Sequence, residues 1–426
     1  MGKKGKKGKK GPEGPQIVTT RAMLVERERC MCPRLGDAIE RKERANAIKM
    51  ECVQSRIRKV GEFSRDYLDM SASGLGFVPD EVVAPSLTRL VNINLSKNQL
   101  FSSDHVFQAL EHIPGLKILN LSSNFLNGPL TGRATDVTTL EELYLDNNQL
   151  TALPSDAGNW ARMTVLSVSK NELTELPSSC SQWKKLETLN LRSNKLATLP
   201  TNALKEWGSL KHFYLGMNML TQVPFTIGKL VSLEMLDLRT NQLENLPPQL
   251  SSCTKLRLLN LGDNKITEVP SDILAKCVQL EELHLFRNKL EGLPDELGAC
   301  TKLRNLTLSS NVAMKTLPDT LGACTALEEL HLTKCKKFSA MPASAGDLVN
   351  LKQFTARECA GLKSLPVSLV GWTALQEMDV RCGKPLFKGK EKCKVPPDVF
   401  EPMEARDGCL IRGGILKKAK AKKGKK

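Results

Sequence analysis

Apolar residues recur through the middle of the chain with a period of 23 to 26 residues, in the pattern L-x-x-L-x-L-x-x-N-x-L. In one copy Leu236 and Leu238 alternate with polar residues, and this period of two predicts a short strand with one buried side. Pro247 then turns the chain, and Leu250 lies in a short helical or irregular return. One copy buries too little apolar surface to fold alone, so the pattern predicts a stacked solenoid.

An asparagine closes the strand pattern in ten successive copies. At the corner after each strand the backbone groups lose their strand partners, and a buried side-chain amide can both donate to and accept from them. We therefore expect the asparagines to form a hydrogen-bonded ladder, continued by Cys335 and Cys359 in the next two copies. They are Asn98, Asn124, Asn148, Asn171, Asn194, Asn218, Asn241, Asn264, Asn288 and Asn311.

The repeats divide residues 65–400 into fourteen turns, of which the first, around Leu68, is degenerate. Residues 98–115 lack the Leu-Pro return of the later turns and predict a longer helix. The strands of the other thirteen turns are expected to begin at Leu90, Leu116, Leu140, Met163, Leu186, Leu210, Leu233, Leu256, Leu280, Leu303, Leu327, Leu351 and Leu375.

This repeat resembles that of leucine-rich-repeat proteins. The Leu-Pro return resembles the intracellular class that includes Ras-suppressor and Shoc-type scaffolds and the plant Ras-group proteins. The resemblance covers about residues 65–400 and implies an α/β solenoid, or horseshoe, with a concave parallel sheet and short convex segments. It is specific for the fold and weak for function, because this fold serves many unrelated partners.

The polar positions of each strand should face the concave side, which is the usual binding surface of such repeats. These positions are small in the first turns, and large, aromatic or basic in the middle and later ones. Aromatic residues and arginine are concentrated at the centres of protein interfaces. The candidate partner-binding residues are Arg192, Tyr214, Arg239, His284, Phe286, Arg287, His331, Lys334, Arg357 and Arg381. Their chemistry favours an acidic or phosphorylated protein surface.

The net charge of +16 lies mostly at the two ends of the chain. Residues 1–11 hold six lysines and residues 415–426 hold seven, with no acidic residue in either segment. Such runs cannot bury a core, so we expect disordered tails at 1–16 and 415–426. They are either solubilising or an electrostatic tether to a polyanion such as acidic tubulin tails, RNA or an anionic membrane.

Residues 35–60 predict an amphipathic helix, with Met50, Val53, Ile57 and Val60 at helical spacing. A solenoid needs its end turns covered, so we expect an N-terminal helical cap over residues 17–64, although a docking helix for a partner would show the same pattern. Apolar residues near Leu410 predict a C-terminal cap over residues 401–414.

No sequence motif indicates an enzyme, a resident metal or a cofactor. Thirteen cysteines without paired clusters argue against a disulfide framework, and four of them share a core column with tryptophans. No stretch is long enough to span a membrane, and no apolar signal segment follows the first lysines.

These features predict a monomeric, cytoplasmic scaffold for signalling proteins, with a cytoskeletal or ciliary setting as a refinement. An RNA- or ribosome-associated binder that acts through the lysine tails is the alternative.

Overall fold

A computed structural model of the chain describes residues 51–60, 62, 66–79, 82, 87, 89–381 and 409–412. The lysine-rich segments at 1–16 and 415–426 lie outside the described residues, as does most of the segments 17–64 and 401–414. The boundaries expected for the two caps therefore stay predictions.

The main sheet has fifteen parallel strands, each paired in register with the strand of the next turn. This confirms the predicted solenoid. The strands are β1 (Tyr67–Asp69), β2 (Asn92–Asn94), β3 (Ile118–Asn120), β5 (Glu142–Tyr144), β7 (Val165–Ser167), β8 (Thr188–Asn190), β9 (His212–Tyr214), β10 (Met235–Asp237), β11 (Leu258–Asn260), β12 (Glu282–His284), β13 (Asn305–Thr307), β14 (Glu329–His331), β15 (Gln353–Thr355), β16 (Glu377–Asp379) and β17 (Leu410–Arg412). A separate parallel pair is formed by β4 (Asn127–Pro129) and β6 (Gln149–Ala152).

In the thirteen turns with predicted starts, the strands begin two residues later than expected, because the opening leucine belongs to the preceding turn. The amide of Leu233 donates to the carbonyl of Leu230 at 3.0 Å, which closes the return segment. The next amide, that of Glu234, donates to Lys211 in the neighbouring turn at 2.8 Å. Pairing between turns therefore starts at the residue after the leucine.

From Ser178 onward, each return is a single helical turn that begins directly after a proline. Helix α1 covers residues 51–60, and the others are α2 (Ser103–Leu110), α3 (Thr201–Glu206) and α4 (Ser271–Lys276). The remaining returns are 3-10 turns at Gly132–Asp136, Ala157–Asn159, Ser178–Gln182, Phe225–Lys229, Pro248–Ser252, Asp295–Ala299, Asp319–Ala323, Ala343–Asp347 and Val367–Gly371. Helix α2 is the longer helix that residues 98–115 predicted.

The asparagine ladder forms as expected, and Asn241 shows its geometry. Its Nδ2 donates to the carbonyl of Leu215 in the preceding turn at 3.1 Å and to that of Leu238 in its own turn at 2.9 Å. Its Oδ1 accepts the amide of Leu220 in the preceding turn at 3.0 Å. Each buried amide therefore joins two turns. Cys335 keeps the donor role, since its thiol donates to the carbonyl of Leu308 at 3.3 Å.

The tryptophan and cysteine column forms a second ladder on the side of the core that faces the returns. The indole Nε1 of Trp183 donates to the carbonyl of Ala157 in the preceding return at 2.8 Å. The Cys253 thiol makes the equivalent bond to Ile227 at 3.4 Å. Burial raises the pKa of the Cys253 thiol to about 12, so it remains a neutral donor. The column thus supplies hydrogen bonds as well as apolar volume.

Helix α1 packs against the first turn of the solenoid. Val53, Ile57 and Val60 are buried in the common core. The guanidinium of Arg56 donates to the carbonyl of Asp69, at the end of β1, at 3.3 Å. The described part of this helix therefore lies where a solenoid cap is needed.

We predict that Asn241→Ala destabilises the protein by about 3 kcal/mol, because it leaves a buried amide and two buried carbonyls without their side-chain partner. Gln242→Ala changes an exposed neighbour and should stay within about 0.5 kcal/mol of the parent. Urea unfolding monitored by tryptophan fluorescence measures both. Equal stability of the two variants would contradict the role assigned to the ladder.

Candidate binding surface on the concave sheet

Each strand of the main sheet sends its middle residue into the core and its first and third residues to the concave face. In β10 these are Leu236 in the core, and Met235 and Asp237 outside. Because the strands pair in register, Met235 lies between His212 and Leu258 of the neighbouring turns. Equivalent residues therefore form continuous columns across the sheet.

All ten predicted site residues lie on or beside this face. Tyr214, His284 and His331 are third residues of their strands. Arg192, Arg239, Phe286, Arg357 and Arg381 follow two residues after that position, whereas Arg287 and Lys334 occupy the corner before the ladder residue. They extend over nine turns, from the sixth to the fourteenth, so one compact ligand cannot contact all of them.

The corner residue of the first thirteen turns has a left-handed backbone without being glycine. Arg287 has a φ of 52° and Lys334 one of 65°. A side chain in this region costs about 1 kcal/mol or more, and the strain is offset by the amide of Arg287, which donates to the carbonyl of Ser309 at 2.7 Å. The same corner aims the side chain of each residue along the rim of the sheet.

Most of the predicted basic side chains have acidic partners on the same face. Arg239 pairs with Asp237 at 3.1 Å, and both Arg357 and Arg381 pair with Asp379. Burial of Asp379 would raise its pKa, but the hydrogen bonds from Arg381 outweigh burial and hold the pKa below its usual range. The face is therefore charge-balanced rather than uniformly basic, unlike the surface that the arginines alone predicted.

Strands β12 and β14 both have the sequence Glu-Leu-His, and they hold their histidines in the same way. His284 Nε2 lies 3.1 Å from Glu282, and its Nδ1 lies 3.0 Å from the hydroxyl of Thr307 on the next strand. His331 has equivalent neighbours in Glu329 and Thr355. Both imidazoles are held between two partners, which gives them one orientation before any ligand binds. Within the described ranges, no cluster of three or more His, Cys, Asp or Glu is placed to hold a metal.

Phe286 is held flat against the backbone of the preceding turn. A Cβ atom at Gly262 would lie 2.2 Å from Cε1 of the Phe286 ring, so the ring occupies the space that glycine leaves. Gly216 similarly gives room to the side chain of Arg239, whose Cγ would lie 3.1 Å from an added Cβ. Phe286 is thereby partly buried, and the rest of its ring is exposed on the concave face.

Two apolar residues of the concave face, in the two turns that precede that of Phe286, were missed from the sequence. Met235 and Leu258 are half-buried first residues of β10 and β11, a position that is polar in most turns. The Tyr214 hydroxyl lies 3.7 Å from the sulfur of Met235, and its ring stacks on His212 with centroids 6.5 Å apart. The prediction from sequence used the third strand position and the position two residues later, where the aromatic and basic residues lie. We call His212, Tyr214, Met235, Leu258 and Phe286 the central patch.

The tyrosines of the concave face are neutral donors at ordinary pH. Burial, reinforced by the hydrogen bond that its hydroxyl donates to Glu142 at 2.8 Å, raises the pKa of Tyr144 to about 12. Burial also raises the pKa of Tyr214, and the charge of Asp237 adds to this effect. Their chemistry is therefore hydrogen bonding and apolar contact.

Two family models match the region that contains this face. Residues 195–369 match a leucine-rich repeat region, and residues 138–196 match a leucine rich repeat. The chain is a leucine-rich-repeat protein. The central patch falls entirely within the first of the two matched segments.

Solved structures of leucine-rich-repeat proteins have the same architecture. A leucine-rich-repeat protein of Leptospira interrogans is 27% identical with a TM-score of 0.59, covering 83% of this chain and 97% of that chain. An internalin of Listeria monocytogenes is 18% identical with a TM-score of 0.63 (85% and 94% covered), and YopM of Yersinia enterocolitica is 23% identical with a TM-score of 0.54 (81% and 68% covered). The last two support the fold alone.

Leucine-rich-repeat domains generally mediate protein–protein interaction and are typically non-catalytic. In this leucine-rich-repeat protein the parallel strands align their outward residues in columns across the main sheet. No helix in the described part of the chain is both long and apolar enough to cross a membrane.

Proposed function

We propose that this leucine-rich-repeat protein is a non-catalytic scaffold that binds a partner protein on its concave face, with the central patch as the anchor. The observation that supports this most strongly is that the turns of four neighbouring strands, β9 to β12, carry these five aromatic and apolar side chains on the concave face. Interfaces concentrate their binding energy in such an apolar centre surrounded by a polar rim.

The anchor side chains are fixed before binding, which lowers the entropy lost on association. Phe286 rests on Gly262, and Tyr214 lies between His212 and Met235. A partner that covers this patch would gain apolar contact without having to order these groups. The fixed arrangement of the patch favours a protein surface of defined contour over a disordered polyanion.

The remaining predicted residues form the rim of the proposed interface. Within the described residues, the side chains of Arg192 and Lys334 make no ion pair with a carboxylate. They are therefore the cations available to an acidic or phosphorylated group of the partner. The paired arginines Arg239, Arg357 and Arg381 would instead contribute donors whose charge is already compensated.

We predict that the double substitution Tyr214→Ala and Phe286→Ala weakens partner binding at least about 30-fold, since removing one central anchor costs about 2 kcal/mol or more. The matched control replaces Val231 and Val349 by alanine, because both are exposed valines in the return loops. Capture from cell extract, quantified by mass spectrometry, identifies the partner, and titration of that partner measures affinity. Loss of the partner in both variants, or in neither, would contradict the proposal.

We further propose that the two lysine segments, 1–11 and 415–426, attach the scaffold to a polyanion, with acidic tubulin tails as the favoured one. Thirteen lysines with no acidic residue supply the charge that such binding requires. This places the scaffold in a cytoskeletal or ciliary setting in the cytoplasm. RNA or the ribosome is the alternative polyanion, because both offer the same charge.

Deletion of both lysine segments is expected to abolish co-sedimentation with microtubules, and raising salt from about 50 to 200 mM should weaken the binding of the full chain by orders of magnitude. A control that replaces each lysine by arginine should retain binding, because the charge is kept. Full-length protein that fails to sediment at low salt would rule out the microtubule. Binding to single-stranded RNA, lost with the same deletion, would then favour the alternative.

A further inference from the structure

A cavity of about 180 Å³ opens at the edge of the central patch. None of its lining residues belongs to either hydrogen-bonded ladder. A cavity of about 150 Å³ accommodates one benzene-sized group, so this space fits a single long side chain rather than a larger ligand. The cavity lies across the first positions of four neighbouring turns. Its lining consists of His212, Glu234, Met235, Arg257, Leu258, Glu281 and Glu282.

The carboxylates of the cavity differ in how far they are already satisfied. Glu281 is held by a double hydrogen bond from Arg257, with distances of 3.0 and 3.1 Å, and these bonds lower the pKa of Glu281. Glu282 lies 3.1 Å from His284 Nε2. Within the described residues, the carboxylate of Glu234 makes no hydrogen bond or ion pair.

The isolation of Glu234 follows from a column of alternating charges along this edge of the sheet. Basic and acidic residues pair two by two, as in Lys117 with Glu141 at 2.9 Å and Lys211 with Glu187 at 2.8 Å. Glu234 stands between Lys211 and Arg257, and each of these cations is bound to a different carboxylate. Glu234 therefore interacts with Lys211 and Arg257 only through longer-range charge attraction, and its carboxylate is left without a direct partner in the cavity lining.

The apolar part of the cavity lining is formed by Met235 and Leu258, which lie side by side on β10 and β11. Two adjacent apolar side chains beside a carboxylate without a direct partner suit a side chain with a hydrocarbon stem and a cationic head. Lysine and arginine have this construction, and both bury their stems while keeping the charge in contact with polar groups.

We propose that this cavity binds one lysine or arginine side chain of the partner protein, with its stem on Met235 and Leu258 and its cation at Glu234 and Glu282. The proposal rests on the proposed function, since it names the partner's chemistry at the same face. It also reverses the expectation of a uniformly acidic partner. The partner surface is basic at this edge of the patch and can be acidic at Arg192 and Lys334.

The test uses the full chain, labelled at its methionine methyl groups, and follows the Met235 methyl resonance by NMR. The resonance is assigned with a Met235→Leu variant. The probe is Nα-acetylargininamide, and the control is its uncharged analogue Nα-acetylcitrullinamide. We expect a saturable shift with the arginine probe and none with the citrulline analogue. No shift with arginine, or the same shift with both compounds, overturns the proposal.

Two variants locate the charge that is responsible. Glu234→Gln should weaken the apparent affinity for the arginine probe about fivefold, as loss of a partly exposed charge pair implies. Glu141→Gln changes the same column four turns away, beside a satisfied lysine, and should leave the Met235 shift unchanged. Equal effects of the two variants would overturn the assignment to Glu234.

The protein's own lysines are a competing occupant that the same resonance detects. If deletion of residues 1–11 and 415–426 moves the Met235 methyl in the absence of probe, the cavity holds a tail of this chain and the proposal of a partner side chain is wrong. Because the NMR test needs no partner, it fails separately from the proposed function. If the partner is still captured from cell extract but the Met235 methyl does not shift with the arginine probe, only the cavity assignment is contradicted.

Discussion

The structure depends on one constraint: backbone groups at the inner corner of each turn are buried, and each needs a hydrogen-bond partner. In ten turns a single asparagine meets this need, because its amide accepts from one turn and donates to the carbonyls of two. The bonds between neighbouring turns add to the strand pairing that sets their register. The pairing continues through the turns of Cys335 and Cys359, so the columns of the concave face stay aligned along the sheet.

A second ladder, formed by tryptophan and cysteine on the opposite side of the core, makes the spacing of the turns uniform. Trp183 and Trp207 stack with ring centroids 6.1 Å apart while each indole donates to the preceding return. With both sides of most turns held, the strand residues are free to vary. That freedom explains why polar, basic and apolar residues follow one another in the same column.

Much of this architecture could be predicted from the sequence because it is periodic. The ladder asparagines, the core leucines, the tryptophan column and helix α2 all follow from spacing alone. The spacing also distinguishes two kinds of return segment. One extra residue after the proline gives the α-helical returns α3 and α4, whereas the returns of 23-residue repeats are 3-10 helices. The later strand starts were missed, because Leu233 alone does not reveal that its amide closes the preceding return.

The sequence predicts where the candidate residues lie on the repeat, but not which side chains they contact. The repeat pattern of the sequence places Arg239 and Arg381 on the concave face, but it does not show that Asp237 and Asp379 neutralise them. Nor does it show that Phe286 lies on Gly262, or that Glu234 loses both neighbouring cations to other carboxylates. Such pairings depend on side-chain directions across neighbouring turns.

The central claim is that the middle of the concave face contacts a protein, and site-specific photo-crosslinking in cells tests it most directly. A benzoylphenylalanine at position 258 should give a discrete protein adduct, and one at position 349, in a return loop, should give none. An adduct from position 349 with none from position 258 would contradict the account.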